Sequence, residues 1–565
     1  MKCSMILAGL GLITVVGCGP MYDGPKADLV ITHAKILTLD EANPRAQAIA
    51  MIGEEIVAVG TERFISAAIE PGRTEVIDAG GRLVIPGFND AHAHFMGGGH
   101  ALLNLDFRYV DDPLKIQAMV AERVSQVKPG ELIRGRGWDH ELFPGKAWPT
   151  KEILDAVAPD NPVVLSRTDG HSIWVNSYAM RQSGVTRRTP VPEGGTIVKD
   201  KNGEPTGIFK EAAENLIKAQ SAYPLSPRDA HIRDREALDK ALALARELGV
   251  TSVQHLNLSQ DLLQEAYDEG KLTARITFGL YLTEDDGTLS KYDALRKQYP
   301  PQGNWIRAGY LKAFMDGTLG SGTAFMFHPF SDDTTTAGLP QMDYDELERK
   351  VLKTDAMGFQ IGIHAIGTRA NHWILNAYEK AAKVNGERDA RHRSEHAQLL
   401  TDDDIPRFGE LGVIASMQPT HCITDKRYAE KRLGPARCEG AYAWQRLLGT
   451  GAHVAFGTDW PVEPLDPMEG LYAAVTRKDR AGEEGEGWYP DQKVTMEKAI
   501  ELYTAASAYA EFMENRKGRL KAGYLADLVI LDRNLLEIAE EEIMKTRVDV
   551  TVVGGKVVYQ RKNEE

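Results

Sequence analysis

The chain has 565 residues, 43% hydrophobic and 26% charged, a composition that excludes extended disorder and leaves room for more than one core. A formal net charge of -15 opposes phosphate backbones and excludes nucleic acid as a partner class. The four cysteines, Cys3, Cys18, Cys422 and Cys438, make neither a disulfide framework nor a C-x-x-C zinc pair. Cys422 and Cys438 either pair in an oxidising compartment or stand as separate thiols.

Met1-Lys2 precedes an apolar run from Met5 to Val16, too short to span a bilayer and of the length of a signal-peptide core. Val15-Val16-Gly17-Cys18 matches a lipobox, whose cysteine is lipidated in bacterial lipoproteins. Residues 1–17 are therefore expected to be a lipoprotein signal peptide and 18–26 a tether anchored through Cys18. Gly19 after the cysteine points to export and to an outer membrane, on its periplasmic face, with the lipid as the only membrane contact.

Ala27-Asp28-Leu29-Val30-Ile31 opens a strand, 49–60 reads as two short strands, and 82–87 ends at a Pro-Gly turn. Far downstream, Ala526-Asp527-Leu528-Val529-Ile530 nearly repeats the opening. A hairpin follows around Gly554-Gly555. Residues 27–86 and 517–565 are expected to form one small composite β-sandwich. Residues 87–516 alternate strands and helices, as βα units on a parallel sheet do. No Gly-rich phosphate loop follows a strand, which counts against a dinucleotide fold.

His92-Ala93-His94 places two imidazoles two residues apart, on one face of a strand, where they can share a metal ion. Lys312, His364, His396 and Asp459 each close a predicted strand. In a barrel the C-terminal strand ends converge on one mouth, so residues remote in sequence meet there. Asp200, Asn202, Glu204 and Glu211 have the spacing of a calcium loop, but Pro205 stands where that loop needs Gly. The segment reads instead as a hairpin turning at Asn202-Gly203, a flap beside the mouth.

Together these stretches resemble the amidohydrolase superfamily, specifically its amidohydrolase-3, YtcJ-like branch. The matching segments are 86–94, 167–171 with 175–177, 312–320, 395–398, 418–421 and 457–462, spread over nearly the whole mature chain. The resemblance implies an α/β fold: a (β/α)8 TIM-like metal-dependent hydrolase barrel plus the composite β-sandwich. It implies two divalent metal ions. His92, His94 and Asp459 would hold one, His364 and His396 the other, and Lys312 would bridge both as a carbamate. The alternative for Lys312 is a plain lysine orienting substrate at a single-metal site. Imidazole with oxygen ligands suits zinc, and manganese, iron or cobalt also fit.

In this scheme Asp459 is ligand and acid/base for a metal-activated water; as a purely structural residue it would be a helix N-cap before Trp460. Arg167, Asp169 and His171, at the expected second barrel strand, and His421, at the seventh, would face substrate, with Trp138 and Arg437 as further members. His255 reads as a barrel-layer residue, and His100, His372 and His392 as bystanders. The polar stretch within 321–338 would line the entrance. The implied reaction is hydrolysis of a C–N bond in a small amide-like, N-acyl or N-formyl compound. Alternatives are deamination of a heterocycle, ester or lactone hydrolysis, and a non-catalytic lipoprotein that binds metal or ligand. A homo-oligomer is compatible with the sequence.

Overall fold

A computed structural model describes residues 21–562 except 220, 223–224, 257–258 and 483–484, so the leader and Cys18 lie outside the described residues. Eight parallel strands run in chain order around the molecule: β1 (Phe88–Ala93), β2 (Val250–Leu256), β3 (Arg275–Tyr281), β4 (Ile306–Phe314), β5 (Ile361–Ala365), β6 (Arg393–His396), β7 (Ile414–Met417) and β8 (Val454–Phe456). The ring closes just past β8. The Asp459 amide donates to the His92 carbonyl at 2.7 Å, and the His94 amide to that of Trp460 at 2.7 Å. Gly457 sits in this seam, where a Cβ would lie 2.6 Å from the His92 nitrogen, so only glycine lets the strands approach.

Helices follow the strands and cover them, among them Gln260–Asp268, Tyr344–Ala356 and Thr368–Asn385. The long helix Pro227–Glu247 shows why they form. Ser226 caps it by accepting from the Asp229 amide, Pro227 fits the first turn, and Ala237, Leu238, Ala241, Leu242 and Ala245 make one buried stripe. The barrel strands are buried along their length, and those that carry polar side chains, Phe88–Ala93 and Arg393–His396 above all, turn them into the barrel interior. At the closed end, Glu511 collects Asn89 of β1, Thr277 of β3, Arg307 of β4 and Lys517 into one buried polar network.

The two chain ends meet as expected. Leu528–Leu531 pairs antiparallel with Leu83–Pro86 inside a six-stranded sheet, and Leu29–Thr32 belongs to a facing four-stranded sheet. Their inner faces share a core of Leu29, Ile31, Met51, Val84, Leu528 and Ile530. The repeated Ala-Asp-Leu-Val-Ile motif thus supplies one strand to each layer of a sandwich.

One expectation needs correction. The region 105–211 is not part of the barrel wall: it forms a separate six-stranded sheet inserted between β1 and β2. Arg167 ends a strand of that sheet, Val163–Arg167, and the true second barrel strand ends near His255. The hairpin at Asn202-Gly203 is present, joining Gly195–Lys199 to Pro205–Glu211 within the inserted sheet.

Candidate metal centre

At the open end of the barrel, ligand atoms of His92, His396 and Asp459 lie within 4.8 Å of one another, and all three residues are buried. Asp459 Oδ1 is 3.4 Å from His92 Nε2 and 3.3 Å from His94 Nε2, and its Oδ2 is 3.6 Å from His421 Nε2. His364 joins from β5, its ring 4.5 Å from that of His396. The backbone bends to aim these groups: His396 and Asp459 hold φ of +77° and +58°, a conformation that costs a non-glycine residue about 1–3 kcal/mol. Asp459 caps no helix. It lies in the turn after β8, and the next helix, Pro467–Thr476, is capped by Asp466.

Neighbouring side chains fix which nitrogen each imidazole presents. His92 Nδ1 meets Glu395 Oε2 at 2.6 Å, and His396 Nδ1 meets the Gln418 side-chain oxygen at 2.7 Å, leaving each Nε2 lone pair for the cavity. His364 does the reverse: its Nε2 meets the Gly317 carbonyl at 3.1 Å, leaving Nδ1. Glu395 is anchored in turn by Arg393 at 2.8 Å. Burial pushes the Glu395 carboxyl up, but Arg393 and His92 outweigh it and hold it well below the usual range. Burial keeps His364 and His396 neutral, as a ligand must be. Asp459 is pushed up by burial, yet His92 and His94 outweigh this and hold it ionised.

These residues fit a divalent cation. His92 Nε2, His421 Nε2 and Asp459 Oδ1 are buried and make no hydrogen bond, although they face one small space. Each such atom costs about 1–3 kcal/mol if left unsatisfied, and imidazole nitrogens with a carboxylate form a good donor set for zinc-like ions. Lys312 is buried beside them, its ammonium 4.9 Å from the Phe314 ring centre, and burial lowers its pKa to about 8.

The other expected site residues divide. His171 lines the cavity with its ring 5.2 Å from that of His364, and His421 lines it from the first turn of helix Pro419–Leu433. His171 Nδ1 meets Glu211 Oε2 at 2.9 Å. Arg167 is fully buried behind the cavity. It pairs with Asp139 at 2.7 Å and Asp169 at 2.6 Å, and those two carboxylates face the cavity in its place.

Trp138 does not reach the site. It is buried in the core of the inserted domain, where its indole N–H donates to the Leu165 carbonyl at 2.8 Å. Arg437 also lies outside the cavity, on the rim, donating to the Pro329 carbonyl at 3.0 Å and to Ser331 at 2.9 Å. Of the polar loop, Ser331 is engaged by Arg437 and Asp332 by Arg432 at 3.1 Å, and neither lines the cavity. His255 accepts the Phe95 amide at 2.6 Å, in keeping with a layer residue. Cys422 and Cys438 are buried and form no disulfide with each other.

Two lining residues had not been singled out, Asp425 and Arg427 on the helix of His421, nor had Glu211 as the partner of His171 behind the lining. The four-residue step from His421 to Asp425 was a readable signal, because it puts both on one helix face.

The amidohydrolase family profile matches residues 75–559. The chain is 32% identical to YtcJ of Bacillus subtilis (strain 168), assigned to the amidohydrolases, over 93% of this chain and 98% of that one. It is 29% identical to an N-substituted formamide deformylase of Arthrobacter pascens, over 94% and 98% of the two chains. Among solved structures, an uncharacterized metal-dependent hydrolase of Pyrococcus furiosus is similar at 28% identity and a TM-score of 0.69, covering 90% of this chain and 100% of that one.

Proposed function

The chain belongs to the amidohydrolase family and is a metal-dependent hydrolase, and on that premise we propose that it cleaves the C–N bond of a small amide-like compound, N-acyl or N-formyl. The observation that carries the proposal is the set of buried, unpartnered atoms His92 Nε2, His421 Nε2 and Asp459 Oδ1 facing one space. The likeness to the formamide deformylase supports the choice of bond.

In this reading His92, His94 and Asp459 would hold one divalent ion and His364 and His396 a second, and Lys312, as its carbamate, would supply a further oxygen ligand. Zinc suits the donors. When bound, a divalent ion brings the pKa of a coordinated water toward neutrality. Asp459, ionised at rest, accepts the water proton at Oδ2 and returns it to the leaving nitrogen. His421 and His171 hold the substrate oxygen by donating from their cavity-facing nitrogens, and Phe314 and Ile366 screen the space from bulk water. Burial that lowers Lys312 to about 8 leaves part of its amine uncharged near neutral pH, the form that reacts with carbon dioxide.

A second reading is a single ion, favoured by the fact that His92, His396 and Asp459 form one tight trio across the two ligand sets. Metal content per chain separates the two. About two equivalents, falling when Lys312 is replaced by Ala, supports the bridged pair, and about one equivalent insensitive to Lys312 supports the single ion.

The reaction is tested by incubating the purified protein with N-formyl amines, N-acyl amines and amino-substituted heterocycles while formate, carboxylate and ammonia are assayed. Formate or carboxylate release supports the proposal. Ammonia alone moves the reading to a deaminase, and no product from any class overturns it. The lipobox around Cys18 supports export and anchoring of this catalytic body to the outer membrane.

A further inference from the structure

Beside the metal centre lies a second chamber of about 670 Å³, bounded by the helix Phe95–Ala101 on one side and the inserted sheet on the other. It shares His94, His171 and Phe314 with the catalytic cavity, so the two are continuous. A chamber of this size takes the body of a small organic ligand.

Its wall is unusual for a chain of net charge -15. Arg134 and Arg136 are two apart on the strand Ile133–Trp138 and project from the same face, beside Val164 and Ser166 of the adjoining strand. Arg233 enters from the helix Pro227–Glu247. None of the three forms an ion pair with a carboxylate among the described residues. Arg233 donates to Asn104 at 3.0 Å, and Arg136 donates to the Thr168 carbonyl at 3.2 Å while its buried Nε has no partner. The carboxylates nearby are spent elsewhere: Asp169 on Arg167 at 2.6 Å, Asp106 on Arg108, and Asp234 on His100 at 3.1 Å. Asp106 and Asp169 act on Arg136 only through space, and clustered guanidinium groups with no carboxylate in direct contact are costly; a planar oxyanion offers them the bidentate partner they lack.

We propose that this chamber binds a carboxylate carried by the substrate at the end remote from the scissile bond, with Arg136 and Arg134 as its main partners and Arg233 at the rim. The inference rests on the hydrolase reading only for the word substrate; the anion site itself is a property of the three arginines. Burial and the neighbouring Arg108 pull Arg136 down to about 10, a penalty that a bound anion relieves. The enzyme would then act on N-acylated amines that carry a carboxylate several carbons from the nitrogen, as in N-acyl ω-amino acids, rather than on neutral amides.

The test is binding, measured by calorimetry on the metal-containing protein with a matched pair of non-hydrolysable probes: 6-(methanesulfonamido)hexanoate and its neutral carboxamide. The carboxylate is expected to bind about tenfold more tightly at low salt, with the advantage shrinking as salt rises. It should fall to about threefold or less in Arg136→Gln and in the surface-exposed Arg134→Gln, and fall only in part in Arg136→Lys, which keeps the charge but loses the bidentate fork. Thermal melting identifies a variant that has failed to fold, and Arg134→Gln then carries the test. Equal binding of the two probes, or a preference untouched by both glutamine variants, overturns the proposal. Inorganic phosphate that binds at the same arginines without displacing the carboxylate probe would mark a separate anion effector and overturn it as well. Because the probes carry no scissile bond, a preserved charge preference with no hydrolysis of any N-acyl compound would sink the C–N reading and leave the anion site standing.

Discussion

Glu395 and His92 face each other at 2.6 Å beneath the cavity, joining β6 to β1 through one buried hydrogen bond. His396 follows Glu395 directly, so the residue that orients one imidazole is the chain neighbour of another. Replacing Glu395 by Gln removes the charge that fixes the His92 tautomer. Metal affinity is expected to fall about 10- to 100-fold, as for other carboxylate partners of ligating histidines. Competition with a chelator reads this directly, and unchanged affinity would show that Glu395 serves packing alone.

Asp459 is assigned both ligation and proton transfer, and one variant separates them. Asp459→Asn keeps the shape and an oxygen donor but removes the base. A loss of about 10²- to 10⁴-fold in kcat with most of the metal retained is expected. If activity falls only in proportion to the metal lost, the residue is a ligand and nothing more.

Glu511 holds the closed end of the barrel together. Burial pushes its carboxyl up, but Arg307 and Lys517 outweigh this and bring the pKa down to about 2, from the ordinary 4.5. Because the folded value is the lower one, its contribution is complete above about pH 4.5 and is lost as pH falls through about 2. Glu511→Gln breaks a buried pair and should cost about 3–5 kcal/mol at neutral pH. It should also flatten the acid limb of the denaturation curve. A midpoint in urea unchanged from the parent would refute this account.

Cys18 is the expected lipid anchor. In a bacterial host the full chain should partition with membranes and incorporate labelled fatty acid, and Cys18→Ser should abolish the label and release the protein. Labelling that survives the substitution would place the anchor elsewhere.

The sequence by itself determined which ligand-type side chains gather at the barrel mouth and the outline of the fold. His92, His94, Lys312, His364, His396 and Asp459 were legible because each stands at or just beyond a strand end, and the barrel brings such ends to one mouth. The composite sandwich was legible because one motif recurs at both chain ends, and the two ends join where Leu528–Leu531 pairs with Leu83–Pro86. The inserted sheet was missed because a parallel strand such as Val163–Arg167 has the same local pattern whether it enters a barrel or a separate layer. Only long-range pairing tells these apart.

Which residues beyond the ligand set line the cavity was decided by the same insertion. The alternation of Ile133-Arg134-Gly135-Arg136 states that one face is polar, but not what that face meets. Trp138 and Arg437 were misjudged for the converse reason. An aromatic or a guanidinium beside a motif looks functional in one dimension, whereas its direction is set by packing. Trp138 turns inward to fill the core of the inserted domain, and Arg437 finds backbone carbonyls on the rim. Ligand identity is a local property of residue type and strand position. Which side chain faces the substrate depends on how two separately cored layers stack, and that geometry exists only in the folded chain.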